Sequence, residues 1–232
     1  MLKGLRERLK WLDPFTYVDH FVMPVVNPDK NKTLETIVYI IFAFIFAFVL
    51  YNFVLVFLLG TNVPLVIVFS GSMEPVLYRG DVVVLIGASS LEMREANIDF
   101  PIRNRPLLEY AELGSRLENN RDRHASIKVN GEEFEFDPNG PIVVYHSALT
   151  GQDIIHRAVL KLHAPDGNFV LTLGDNNNRL DEDCPINPVR GECIETYPVP
   201  AENLKGKYLF HIPLVGYVKL LLFDDLPRLI FG

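Results

Sequence analysis

Apolar residues fall into three patterns along the chain. From Ile37 to Leu59 they are nearly continuous, interrupted only by Tyr39, Tyr51 and Asn52 and by no Pro or Gly. At ~1.5 Å rise per residue, one helix over this run crosses the ~30 Å apolar core of a bilayer. The run is too long, and begins too far into the chain, for a cleaved leader. After residue 60 the apolar residues come in short clusters rich in Val and Ile: Val63–Phe69, Asp81–Ile86, Pro141–Tyr145, Asp153–Leu160 and Asn168–Leu173. Gly, Pro, Asn and Asp bound each cluster, which predicts short strands joined by turns. The third pattern, Tyr208–Phe223, holds Pro213, Gly216 and Lys219. It predicts a strand end and an amphipathic helix on the membrane or the domain, not a second span.

The segment 88–139 differs from its surroundings. It is charged and has few β-branched residues up to Arg123. Leu107–Leu117 has a helical rhythm, and Ser126–Phe136 reads as a hairpin about Asn130-Gly131. We expect an inserted α/β subdomain. The organisation is then a cytoplasmic amphipathic segment (1–33), a transmembrane helix (34–60) and a β domain (61–87 and 140–223). The insertion (88–139) and a C-terminal apolar segment (208–232) complete it. In the first segment Leu2, Leu5, Leu9 and Leu12 share one helical face, with basic residues opposite. The fold class is mainly β: one membrane helix carrying a curled antiparallel β domain.

Charge adds topology and excludes one partner class. The chain of 232 residues has 22 basic and 29 acidic side chains, net −7. It lacks the basic excess of a nucleic-acid binder. Lys3, Arg6, Arg8, Lys10, Lys30 and Lys32 precede the apolar run, and Arg79 is the first basic residue after it. The positive-inside rule places the N-terminus in the cytoplasm and residues beyond 60 on the outer or lumenal face. The two cysteines, Cys184 and Cys193, are too far apart for a metal knuckle. They are either a local bridge or two free thiols. No metal or cofactor motif is present.

Candidate chemistry starts at Ser70-Gly71-Ser72-Met73-Glu74-Pro75. A serine nucleophile needs a turn that exposes its hydroxyl, a base in hydrogen-bond reach and an acid that orients the base. Ser72 follows a strand and Gly71, and Pro75 keeps the turn out of a strand ladder. Ser70 offers a second hydroxyl for an oxyanion. Among the histidines, His20 is on the wrong side of the membrane. His124, His146, His163 and His211 have no acid motif beside them. His156 stands in an apolar strand, where a polar ring needs a partner. The acids Asp175, Asp181 and Asp183 cluster in one Asn-rich turn, which equally suits a structural role.

In this order the motifs resemble the type I signal peptidases, in the archaeal and endoplasmic-reticulum branch. The matching stretches are Ser70–Pro75, Arg79-Gly-Asp-Val-Val-Val84, Ile155-His156-Arg157-Ala-Val159, Gly174-Asp175-Asn176-Asn177 with Asp181, and Ile212-Pro-Leu-Val-Gly-Tyr217. Residues 1–33 and about 88–139 lie outside the resemblance, and 180–193 departs from the short forms of the family. The resemblance implies a serine endopeptidase that removes signal peptides from secretory preproteins. Ser72 is then the nucleophile, His156 the general base where bacterial relatives place lysine, and Asp181 the third member. Asp175 is needed for the site, and Ser70 assists the oxyanion. Val68, Phe69 and Met73 are the expected substrate contacts, with the preprotein laid as a strand beside Val66–Phe69. Expected partners are preproteins with small residues near the cut, the lipid bilayer, and translocon or other complex subunits. Two other readings compete. One is a self-cleaving serine/lysine peptidase using Lys161 or Lys128. The other is a membrane-tethered, non-catalytic β module that binds secretion components.

Overall fold

The computed structural model describes residues 10–185, 193–221 and 226. The face made by Leu2, Leu5 and Leu9 lies outside the described residues, as does most of the tail after Leu221. The chain divides into two compact units, 1–58 and 59–232.

The first unit is helical. Pro14–Tyr17 (α1) and Met23–Val26 (α2) flank a π-helical turn, Val18–Val22. Asp13 caps the first of these by accepting the Phe15 N–H. The long helix begins at Lys32–Val49 (α3), where the Asn31 side chain accepts from the N–H groups of Thr33 and Leu34. It continues through a π-helical stretch, Leu50–Leu55, into Val56–Leu59 (α4). Altogether Lys32–Leu59 is one apolar helix of 28 residues, long enough to cross a membrane. Its large side chains, among them Phe44, Phe48, Phe53 and Phe57, face outward, which a helix in lipid tolerates and one in water does not.

The second unit is almost entirely β. Its strands are Leu65–Ile67 (β1), Val82–Ile86 (β2), Glu95–Asn97 (β3), Glu112–Glu118 (β4), Arg121–Val129 (β5), Glu132–Glu135 (β6), Ile142–Ser147 (β7), Gln152–Ala164 (β8), Gly167–Leu173 (β9), Val199–Pro200 (β10) and Leu204–Ile212 (β11). One sheet runs β1-β2-β11-β7-β8-β9-β10, and β3 joins β8 in parallel. Every other pairing in it is antiparallel. Register shifts in β11 and β8 mark bulges, which curl a sheet. A second sheet, β4-β5-β6, lies within the inserted segment.

The insertion corrects one local expectation. The helical rhythm at 107–117 is realised as a single 3-10 turn, Leu107–Glu109, and then β4. Leu113 pairs with Ile127 across that ladder, so strand pairing outweighs the local propensity. The hairpin about Asn130-Gly131 forms as the two residues suggest, both at positive φ (51° and 87°).

Two apolar clusters position the site. Val68, Met73, Leu77, Val83, Leu85, Ile142 and Val144 pack beneath the Ser70–Pro75 turn. Ile127, Val129 and Phe136 of the insertion pack with Leu160, Leu162, Phe169 and Leu171 of β8 and β9. The insertion is thus anchored to the strand pair that carries His156. At the end of the chain a short helix, Tyr217–Leu220 (α5), follows β11.

Candidate active site

The nucleophile turn is built downward from its apolar residues. Met73 and Leu77 are fully buried, and the N–H groups of Val76 and Leu77 both bond to the Met73 carbonyl. Burying these two side chains fixes the turn from below. Ser72 is left at the rim, half-buried. The second constraint comes from the acid turn. The Asn176 N–H donates to the Ser72 carbonyl at 2.8 Å, and Asn176 Nδ2 to the Gly71 carbonyl at 3.1 Å.

Ser72, His156 and Asp181 meet. His156 Nε2 lies 2.9 Å from Ser72 Oγ, and His156 Nδ1 lies 2.5 Å from Asp181 Oδ2. The carboxylate assigns the ring proton to Nδ1, which leaves Nε2 free to accept the serine proton. His156 sits in β8 opposite Val143 of β7, one residue before β8 begins to pair with β9, and is 3% exposed. The Asp181 side chain is out of solvent altogether. Three donors converge on Asp181 Oδ2: His156, the Tyr145 hydroxyl at 3.0 Å and the Thr172 hydroxyl at 2.8 Å. Three donors on one oxygen fix the orientation of this buried side chain, whose Oδ1 has no partner among the described residues.

The other predicted residues fall elsewhere. Ser70 Oγ is 3.1 Å from Ser72 Oγ, close enough to serve an oxygen that develops beside the nucleophile. Asp175 does not touch His156. It takes Arg157 Nε and Nη2 on its two oxygens, each at 2.7 Å, while Arg157 Nη1 donates to the Gly140 carbonyl. Asp175 therefore ties the acid turn to the base strand. Asp183 is near His124 at 3.9 Å and outside the chain of contacts from Ser72.

Two expected substrate contacts are corrected. The side chains of Met73 and Val68 are buried in the apolar cluster under the turn, so neither presents a surface to a ligand. The Val68 main chain is also committed, its N–H to Asp81 and its carbonyl to the Gly80 N–H. Phe69 is exposed, two residues beyond edge strand β1. The lysine alternative also fails on geometry. Lys161 is paired with Glu95 at 2.8 Å, Lys128 lies on β5 of the second sheet, and His156 holds the position beside Ser72. Both cysteines are free thiols.

Sequence reasoning missed several supporting residues. Tyr145 and Thr172 read only as strand formers. His124 carried no motif, yet its N–H donates to the Asn178 carbonyl and its Nδ1 accepts the Leu180 N–H at 3.2 Å. Arg123 Nη2 reaches the Gly174 carbonyl at 3.4 Å. The insertion thus braces both ends of the acid turn. Burial holds the His124 imidazole below its ordinary value, which suits an acceptor nitrogen. The signal open to sequence reasoning was the pairing of charge and histidine, Arg123-His124, inside an otherwise solvent-like segment.

Comparison with known proteins yields consistent relatives. The signal peptidase complex catalytic subunit SEC11 of Clavispora lusitaniae is 28% identical over 196 residues, 84% of this chain and 87% of the relative. SEC11 of Schizophyllum commune is 26% identical over 182 residues, 75% and 71% of the two chains. SEC11 of Sclerotinia sclerotiorum is 31% identical over 161 residues, 68% and 63%. This chain is type I signal peptidase-like, of the endoplasmic-reticulum kind. No family model matches it. The relatives are named as catalytic subunits of signal peptidase, a membrane-bound enzyme of the serine-hydrolase class.

Proposed function

We propose that this protein is a membrane-bound serine endopeptidase that removes signal peptides from secretory preproteins, with Ser72 as nucleophile, His156 as general base and Asp181 as the acid that orients it. The observation that carries this reading is the continuous chain Ser72–His156–Asp181, at 2.9 and 2.5 Å, closed by a buried carboxylate. His156 takes the Ser72 proton as Oγ attacks the scissile carbonyl, and then returns it to the leaving amine. The Asp181 charge stabilises the imidazolium in between. Ser70 donates to the developing oxyanion.

The substrate lies as an extended strand along β1, an edge strand of its sheet. Because Val68 bonds inward, the alternation of an antiparallel ladder turns the main-chain groups of Ile67 outward, where a peptide can pair with them, while the Phe69 carbonyl accepts from Arg79 Nε at 3.2 Å. Phe69 contributes apolar contact beside the first positions before the cut. Lysines and arginines ahead of the apolar helix set the N-terminus in the cytoplasm and the peptidase domain on the outer or lumenal face. The SEC11 relatives are named as subunits of a complex, and this chain is read as working with partner subunits or the translocon.

The test uses the full-length protein in detergent or membranes with a preprotein carrying small residues near its cut. Wild type is expected to release the mature protein and Ser72→Ala to release none. Cleavage by Ser72→Ala would rule out the serine mechanism, and an inert wild type would favour a non-catalytic binding module.

A further inference from the structure

Glu182 is a buried carboxyl that the mechanism above does not use. It follows Asp181 directly and is fully enclosed. Its two oxygens face one residue. The Thr172 N–H donates to them at 3.2 and 3.1 Å, and Thr172 Oγ1 lies 3.1 Å from Oε1. The same Thr172 hydroxyl lies 2.8 Å from Asp181 Oδ2. A hydroxyl has one proton, so it serves as a donor to only one of the two carboxyls.

We propose, on the reading of the site given above, that Glu182 is a positioning residue: it clamps Thr172 by main chain and side chain so that the Thr172 hydroxyl points its proton at Asp181. Chemical complementarity carries the assignment. A neutral carboxylic acid has one oxygen to accept from the Thr172 N–H and one O–H to donate to Thr172 Oγ1. Thr172 Oγ1 then donates onward to Asp181 at 2.8 Å, the nearer of its two remaining acceptors, the other being the Tyr145 hydroxyl at 3.3 Å, which itself donates to Asp181. An ionised Glu182 would compete with Asp181 for the same proton and set two negative charges side by side out of water. Burial and the neighbouring Asp181 charge both push Glu182 toward its protonated form. The other titratable groups around it are Tyr110 and Tyr145, whose hydroxyls burial keeps protonated. Among the described residues no Lys, Arg or His is ion-paired with Glu182, and no cation is among the groups that act on it.

The relay runs Glu182 to Thr172 to Asp181 to His156 to Ser72. Its consequence is catalytic tuning without substrate contact. When the Thr172 donor is removed, Asp181 becomes more basic, His156 holds its proton more tightly, and the acid limb of activity moves to higher pH.

The experiment measures kcat, KM and the pH profile of preprotein cleavage for Thr172→Val, Glu182→Leu, Glu182→Gln and the Thr172→Val/Glu182→Leu pair. Thr172→Val keeps shape and loses only the hydroxyl. It is expected to lower kcat about tenfold, the worth of one hydrogen bond to a charged group, with KM unchanged and the acid limb raised. Glu182→Leu behaves likewise, and Glu182→Gln, which keeps both contacts, rescues most of that loss. The double variant is no slower than Thr172→Val, since Glu182 acts through Thr172. Losses that multiply in the double variant, a Gln variant as poor as Leu, or an unmoved acid limb in Thr172→Val overturn the proposal. If Glu182→Leu does not fold, Thr172→Val and Glu182→Gln still decide it. A wild type that never cleaves strikes instead at the function assigned to the site.

Discussion

The main-chain N–H of Asn176 donates to the carbonyl of Ser72 at 2.8 Å. The turn that carries Asp175 and Asp181 therefore also fixes Ser72, so Ser72, His156 and Asp181 share one scaffold. Gly174 stands at the closest approach. A Cβ there would lie 2.8 Å from the Ser72 carbonyl oxygen and 2.7 Å from Asn177 Nδ2. Because the first of these is backbone, the nucleophile turn must shift. Gly174→Ala is expected to lower kcat/KM about a hundredfold, the scale of a displacement near 1 Å, with folding retained. Steady-state kinetics and a melting curve on the same sample check it.

The Arg157–Asp175 pair is mostly buried, with the two side chains 16% and 12% exposed. Removing one partner strands the other charge. Asp175→Ala is expected to cost about 2–4 kcal/mol of stability. Asp175→Ala/Arg157→Met is expected to be more stable than Asp175→Ala alone. Denaturant unfolding of the three proteins tests this ordering.

His124 gives the insertion a pH signature. Its folded-state value is held below the ordinary one by burial. The unfolded chain therefore binds more protons as pH falls through about 6.5, and stability is lost on acidification from there. His124→Asn keeps an acceptor for the Leu180 N–H but does not titrate. Its melting temperature is expected to fall less than that of wild type between pH 7 and about 5.5. Parallel pH slopes would show that His124 is not held neutral by the acid turn.

Glu182 has the opposite sign. Its carboxyl is raised well above the ordinary 4.5. Above that value the unfolded state releases a proton that the folded state keeps, so this residue destabilises the fold progressively as pH rises. Glu182→Gln is expected to match wild type near pH 4 and to melt higher at neutral pH, the gap widening upward. A constant gap across pH would mean that Glu182 does not change protonation on unfolding.

What could be read ahead of the structure depended on how local each feature is. Ser72 and Asp181 belong to short motifs in turns, where residue identity and backbone geometry are tied together within a few positions. His156 stood out because a polar ring in the apolar run Ile154–Val159 demands a partner. The outward Phe and Ile side chains of the long helix followed from unbroken hydrophobicity. By contrast, Thr172 and Tyr145 are ordinary strand residues until β7, β8 and β9 bring them to one carboxylate oxygen. The burial of Met73 and Val68 was missed because a motif residue beside a nucleophile was read as a ligand contact. Here these residues anchor the turn from below. The strand at 112–118 was hidden because leucines at 107, 108, 113 and 117 mimic helical spacing, while its partner strand is nonlocal.

The central claim is that Ser72 and His156 act as one unit. The most direct measurement is kcat/KM for preprotein cleavage by Ser72→Ala, His156→Ala and the double variant. Each single change is expected to remove essentially all cleavage, and the double variant to be no worse than either single one. Substantial cleavage by either single variant, or losses that multiply in the double, would contradict the account.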